Sequence, residues 1–223
     1  MLGFTLSKLN LLILVTAMFA IVSFFLFSLT DIVVSDLAQQ MVNDYSETVF
    51  GLVSGELLCR KSTATVPQSI EYFGGLMPSQ RFYYVMYLKR YPPDFEPDKL
   101  NMLIFQIASR KEGDKIIATS SVDLNARIYL YEWNTETDTI TEQSSITIDP
   151  ESPGIATKNS MVFIKEVYKG QSYLHVIACS SSAAICERNL DWVSCWLSKC
   201  PDDKRQSTCF PLPEDCGTRV PTC

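Results

Sequence analysis

The chain has 223 residues, a formal net charge of -6 and a 47% hydrophobic composition. Its densest cationic groups are isolated pairs, Arg60-Lys61, Arg110-Lys111 and Lys204-Arg205 among them. With no basic tract to track a phosphate backbone, nucleic acid is not expected as a partner. The length allows one sizeable domain, or one domain plus an anchor.

Between Lys8 and Asp31 lie 22 consecutive uncharged, almost wholly apolar residues. As a helix they would extend about 33 Å, enough to cross a hydrocarbon core of about 30 Å. A cleavable signal has a shorter apolar stretch followed by a small-residue cleavage site. The exit here, "SLTDIVVSD", lacks that pattern. Residues 9–30 are therefore expected to be a retained anchor, with an unusual signal peptide or a buried core helix as alternatives. Lys8 precedes the run, and Asp31 and Asp36 follow it. Positive charge tends to stay cytoplasmic, so residues from about 31 onward are expected outside.

Beyond the run the apolar pattern narrows. Val34, Leu37, Ala38, Met41, Val42, Tyr45, Val49, Leu52 and Val53 recur in steps of three and four, with polar residues opposite. That is an amphipathic helical face. No proline interrupts residues 4–57, which predicts one continuous helix of roughly 50 residues, about 75 Å long. A flexible linker of the kind that usually joins an anchor to an independent domain is missing.

From about residue 66 the period becomes two. Segments 81–88, 101–108, 115–122, 126–133, 145–148, 160–168 and 171–179 are rich in β-branched and aromatic residues and read as strands. Lys169-Gly170 is a tight hairpin candidate. The short connections predict an antiparallel meander, because parallel pairing needs long crossovers. The tail, 180–223, offers one short helix at about 187–198 and little other regular pattern. The expected fold class is α+β: a long N-terminal helix, transmembrane then amphipathic, packed on an antiparallel β-sheet, with a disulfide-rich C-terminal region. Its segments are 1–8, a short N-terminal piece or leader; 9–30, the membrane or filament-core helix; 31–57, its amphipathic continuation; 58–179, the β domain; and 180–223.

Eight cysteines are present: Cys59, Cys179, Cys186, Cys195, Cys200, Cys209, Cys216 and Cys223. An even number clustered beyond an export element suggests an oxidising compartment and up to four disulfides. Their connectivity is open, although the isolated Cys59, at the foot of the helix, is expected to reach the C-terminal region. Zinc is the rival reading. From Cys179 onward the spacings are 7, 9, 5, 9, 7 and 7, without a CxxC pair, and the single histidine lies in a strand pattern. Structural zinc sites usually show close pairs, so disulfides are favoured.

His175 is the one conventional general base, yet no G-x-S-x-G accompanies it. Ser180-Ser181-Ser182 reads as a turn, and the acidic pairs Asp202-Asp203 and Glu214-Asp215 lack calcium-loop spacing. The glycine pair at 74–75 lacks a phosphate-loop context. Phe82, Tyr83, Tyr84 and Tyr87 read as core and cross-strand packing rather than a ligand platform. No catalytic, metal or cofactor site is expected, and an enzyme is not expected.

Gly3-Phe4-Thr5-Leu6 followed by a long apolar helix resembles the start of type IV prepilins. In that family a peptidase cuts between the glycine and the phenylalanine. The family outline also fits: a helix of about 50 residues (about 75 Å at 1.5 Å per residue), half in the membrane and half on an antiparallel sheet, then a disulfide-bounded C-terminal region. The apolar halves of such helices leave the bilayer and bundle into the core of an extracellular filament. The resemblance implies cleavage between Gly3 and Phe4 and a self-assembling surface subunit. This chain departs from the pattern in two places. Met1-Leu2 supplies no basic residue before the glycine, and Lys8 stands where pilins commonly carry a glutamate that docks an incoming subunit's amino terminus. These departures favour retention of residues 1–3 over cleavage after Gly3, as in archaeal surface proteins with an uncleaved or class-III-type start. Thr16, Ala17, Ala20 and Ser23 would let neighbouring helices approach closely, although such residues are also ordinary in membrane helices. The expected partners are further copies of the chain or membrane lipid, with any extracellular ligand unknown. The rival to a filament is a single-pass anchored ectodomain that binds a ligand or partner.

Overall fold

The computed structural model describes residues 2–72, 79–93, 101–111, 115–134, 139–151, 159–179, 183–199, 209, 210 and 216. Side chains are described within these except for residues 2–7, 26–29, 133–141 and 183–189. One helix, α1 (Leu2–Ser54), runs through the whole first quarter of the chain. Eleven strands follow among the described residues: β1 (Cys59–Thr65), β2 (Ile70–Tyr72), β3 (Gln80–Phe82), β4 (Tyr84–Tyr91), β5 (Asn101–Ser109), β6 (Lys115–Leu124), β7 (Arg127–Asn134), β8 (Thr139–Gln143), β9 (Ser145–Ile148), β10 (Ser160–Tyr168) and β11 (Gln171–Cys179). A second helix, α2 (Ala183–Lys199), closes the order.

The fold class is α+β, and the sheets are predominantly antiparallel. They do not form the simple meander that the short connections suggested. A five-stranded sheet runs β1-β10-β11-β7-β8, a four-stranded sheet runs β6-β5-β4-β9, and β2 pairs with β3. Within the larger sheet β11 lies parallel to β7, with Leu174 opposite Ile128 and Val176 opposite Leu130. The chain between them visits β8, β9 and β10 first, which supplies the long crossover that parallel pairing demands. Three strands carry little of the expected pattern. The edge strand β1, "CRKSTAT", is mostly exposed and polar, β2 has only three residues, and β8 is "TITEQ". Partner strands, rather than their own composition, hold these in the sheets. The β10–β11 connection is the two-residue turn Lys169-Gly170, with φ of 50° and 80°. Both values are positive, the requirement of the hairpin turn whose twist matches its strands.

The five-stranded sheet is covered on both faces. One face gives Ile128, Leu130, Met161, Phe163, Leu174, Val176 and Ala178 to a core shared with the four-stranded sheet and with Ala38, Val42, Tyr45, Val49 and Leu52 of α1. The other face gives Tyr129, Tyr131, Val162, Ile164, Tyr173 and Ile177 to a second cluster with Trp192, Val193, Trp196 and Leu197 of α2 and Phe210. Burial on both faces explains why β10 and β11 read as near-continuous apolar runs rather than alternating ones. Helix α2 is longer than the sequence pattern indicated.

Candidate functional site

Two places could carry function: the bare N-terminal half of α1 and the polar group buried under α2.

Residues 8–25 are exposed without exception. Leu11, Leu12, Met18, Phe19, Phe24 and Phe25 are each at least 59% exposed. Residues 8–54 form the one described helix that is long and apolar enough to cross a membrane, with a mean hydropathy of 2.6 in its most apolar window. The stripe Thr16, Ala17, Ala20 and Ser23 lies on this exposed stretch. The Thr16 hydroxyl donates to the carbonyl of Leu12 in its own helix, so the side chain meets its hydrogen-bonding need locally. Gly3 and Phe4 lie in the first turn of α1.

The C-terminal half of α1 is different at every level. Val34, Ala38, Val42, Tyr45, Val49 and Leu52 are buried, and Leu37, Met41 and Val53 are partly buried against the same cluster. Polar contacts fix the helix in place. The Tyr45 hydroxyl donates to the Thr65 carbonyl at 2.9 Å, and the Ser46 and Ser120 hydroxyls lie 2.9 Å apart. The Tyr45 ring meets Phe105 at 6.0 Å between centroids. Burial, with Asp44 nearby, pushes the Tyr45 hydroxyl up to about 12. Burial likewise raises that of Tyr84, with a smaller contribution from Tyr45.

At the foot of α1 no basic residue occupies its own last turn. Cations arrive instead from the sheet: the Lys165 ammonium donates to the Gly55 carbonyl, and Arg60 reaches the Gly51 carbonyl at 3.5 Å. Arg60 and Lys165 are directly opposite each other across β1 and β10. Such a like-charge pair is unfavourable by itself, and the negative end of the helix dipole compensates it. Cys59 bonds to Cys209 here, with a Cα–Cα distance of 5.4 Å across 150 residues of sequence, so the foot of α1 and the C-terminal region are covalently joined. Cys195 bonds to Cys216, Cys179 is also disulfide-bonded, and no described cysteine is free. The side chain of Cys186, and Cys200 and Cys223, lie outside the described residues.

His175 sits in the second cluster. Its Nδ1 lies 3.0 Å from the Tyr131 hydroxyl and its Nε2 lies 3.2 Å from Glu166 Oε2, both His175 and Glu166 being fully buried. Tyr129 and Tyr173 stack nearly parallel to the imidazole, at 5.6 Å and 6.5 Å, and Phe210 meets it edge-on at 6.0 Å. Trp196 meets both Tyr129 and Tyr131 edge-on at 5.6 Å. A general base must reach the proton it takes. Here the imidazole is committed to internal partners and roofed by aromatic rings, an arrangement that orients sheet and helix against each other. Sequence reading singled out His175 but not Glu166. The signal for that partner was available only in the β10–β11 register, which places Glu166 and His175 on one face.

Among the described residues no group of three or more His, Cys, Asp or Glu side chains could hold a metal ion. The cleft lined by Arg90, Tyr91, Pro92, Asn101 and Ile128 has only about 10 Å³ of enclosed space, room for a water at most. Tyr84 is fully buried and donates to the Pro67 carbonyl, which gives the aromatic strand a structural role. The candidate pairs Asp202-Asp203 and Glu214-Asp215, Ser180-Ser181-Ser182 and the glycines at 74–75 lie outside the described residues. Comparison with protein-family models, curated proteins and solved structures gives no match for this chain.

Proposed function

We propose that the chain is an extracellular surface-filament structural subunit. Copies assemble through the apolar half of α1, and the β-rich, disulfide-stapled head faces outward. The observation that carries this reading is the continuity of α1. The helix that presents bare apolar side chains over residues 9–25 continues unbroken to Ser54 and there contributes its other half to the core of the head. A rigid shaft of this kind transmits position from head to stem, which a flexible tether would not. An assembly that gathers the shafts of many copies would bury apolar surface at about 25 cal/mol per Å². In this reading α1 packs on an antiparallel sheet in the manner of a pilin, and the partners are further copies of the chain, with lipid before assembly.

A second reading, a single-pass anchored ectodomain, is favoured by one feature: the large apolar side chains surround the whole circumference of residues 9–25, as lipid contact requires. Negative-stain imaging of sheared cell-surface fractions separates the two. Polymers containing the intact head support the subunit. A dispersed membrane protein, with no polymer under any export condition, overturns it in favour of the anchor. Intact mass of the mature protein reports whether cleavage occurs between Gly3 and Phe4.

A further inference from the structure

The described disulfides differ in their surroundings. Cys195 is buried and bonds to the partly buried Cys216. Cys179, also disulfide-bonded, is buried at the end of β11. Cys59, which bonds to the partly buried Cys209, is the one exposed cysteine among the described residues. Cations flank it. Arg60 and Lys61 follow in β1, and both are exposed. Lys61 returns to the same face of the strand two residues on, about 6.6 Å away. Lys165 stands opposite Arg60. The residue opposite Cys59 itself is Glu166, which is fully buried and lies 3.2 Å from His175 Nε2. An accessible, electropositive setting favours thiolates and disulfide exchange, whereas a buried apolar one protects a bridge.

The same bond holds a piece of the second cluster. Phe210 follows Cys209 directly, is 8% exposed, and meets the His175 imidazole edge-on at 6.0 Å. Cys209 itself packs against that cluster, and its sulfur lies 3.2 Å from the Lys165 carbonyl. Cys216, six residues beyond Phe210, is tied to Cys195 of α2. Opening Cys59–Cys209 therefore frees Phe210 from the foot of α1 and leaves the tail tied to α2. The first core, which α1 shares with the two sheets, contains neither Cys59 nor Cys209 nor Phe210.

We propose that Cys59–Cys209 is a redox latch on the second cluster, opened by a dithiol. One thiolate of the dithiol attacks the Cys59 sulfur. The S–S bond breaks, and Cys209 leaves as a thiolate that takes up a proton. The second thiol of the dithiol then attacks the mixed disulfide and releases Cys59 as a thiol. Two electrons have passed to the protein sulfurs, and the dithiol is left as its own disulfide. Phe210 then swings off the imidazole, and water reaches the His175–Glu166 pair while the first core stays folded. That is a local opening rather than a global one. It is independent of whether the shafts polymerise, and works alike in a filament subunit and in an anchored ectodomain.

The test uses the full chain in detergent micelles. His175 is its only histidine, so ethoxycarbonylation by diethyl pyrocarbonate, located by peptide mass, reports one site. Dithiothreitol is added in steps, freed thiols are alkylated, and the alkylated cysteines are mapped. The expected result is reduction of Cys59–Cys209 at least about tenfold faster than Cys195–Cys216. In that selectively reduced protein His175 is expected to react at least about tenfold faster than in the oxidised protein, with the cooperative thermal transition retained. Equal or earlier opening of Cys195–Cys216 overturns the latch, and so does a His175 that stays protected once Cys59–Cys209 is open. Reactivity that appears only with loss of the thermal transition overturns it as well, because the bond then holds the whole fold. Cys59→Ser combined with Cys209→Ser removes the latch without reductant. A reactive His175 that dithiothreitol no longer changes supports the proposal, and a protected one overturns it.

Discussion

From Leu9 to Phe25 every turn of α1 presents large apolar side chains outward, whereas from Val34 to Leu52 the apolar side chains, apart from the exposed Phe50, keep to one buried or partly buried stripe. The backbone is the same continuous helix in both halves. What differs is where the polar residues are allowed. In the first half no charged residue and only the scattered Asn10, Thr16 and Ser23 interrupt the apolar surface, so most of the circumference is left to apolar surroundings from outside the monomer. In the second half Asp36, Gln40, Asn43 and Glu47 take the outer side, and the chain itself supplies the apolar surroundings. Helix formation and helix burial are thus separate matters, decided by composition around the axis rather than by propensity along it.

A buried charge breaks this comparison most directly. Val42→Asp places a carboxylate where no side-chain surface meets solvent and is expected to cost at least about 3–5 kcal/mol, seen as loss of the cooperative thermal transition in detergent. Val15→Asp, in the exposed half, is expected to leave that transition in place. It instead disfavours membrane insertion by about 2.5–3.5 kcal/mol, read from the fraction retained in membranes after alkaline extraction.

The joint between the halves of the molecule comes next. Replacing Cys59 and Cys209 together with serine frees the foot of α1 from the C-terminal region and is expected to lower stability by about 2–5 kcal/mol, measured by denaturant unfolding. In the layer beyond, Glu166→Ala leaves His175 without its buried carboxylate partner and is expected to cost about 3–5 kcal/mol. Arg81→Ala removes the exposed ion pair with Glu71, whose side chains are 63% and 59% exposed, and is expected to cost no more than about 1 kcal/mol. Similar losses for these two variants would show that the second cluster contributes little to holding α2.

The smallest effect is an alkaline one. Tyr45 has its hydroxyl raised in the folded state, from 10.0 to about 12, so the folded chain holds this proton more tightly than the unfolded chain. Stability from this group is fully present below pH 10, declines as the pH passes from 10 toward 12 and is then lost. Tyr84 acts in the same direction. Tyr45→Phe is expected to flatten the fall, followed by urea unfolding at pH 9, 10 and 11.

Much of this was legible beforehand because it is periodic. The stripe from Val34 to Val53, the long strands β5, β6, β10 and β11, and the Lys169-Gly170 turn all follow from local steric and burial rules that leave a mark every two, or every three to four, residues. The short or polar strands β1, β2 and β8 leave no such mark, since their pairing depends on neighbours distant in sequence. The parallel β7–β11 pair was hidden for the same reason: connection length limits topology only between consecutive strands, and these two are not consecutive. The roles of Glu166 and Lys165 were equally hidden. A charged residue in an apolar strand looks anomalous until its partner, His175 or the end of α1, is brought to it.

By itself, the sequence determined that the chain has one long helix whose first half is apolar all round, a β-rich body and a cysteine-rich tail, because composition and period act locally. Tertiary structure alone decided which cysteine meets Cys59 and which face of the five-stranded sheet α2 covers. Those outcomes depend on close packing and strand register between residues as many as 150 positions apart, and no local pattern carries information across that distance.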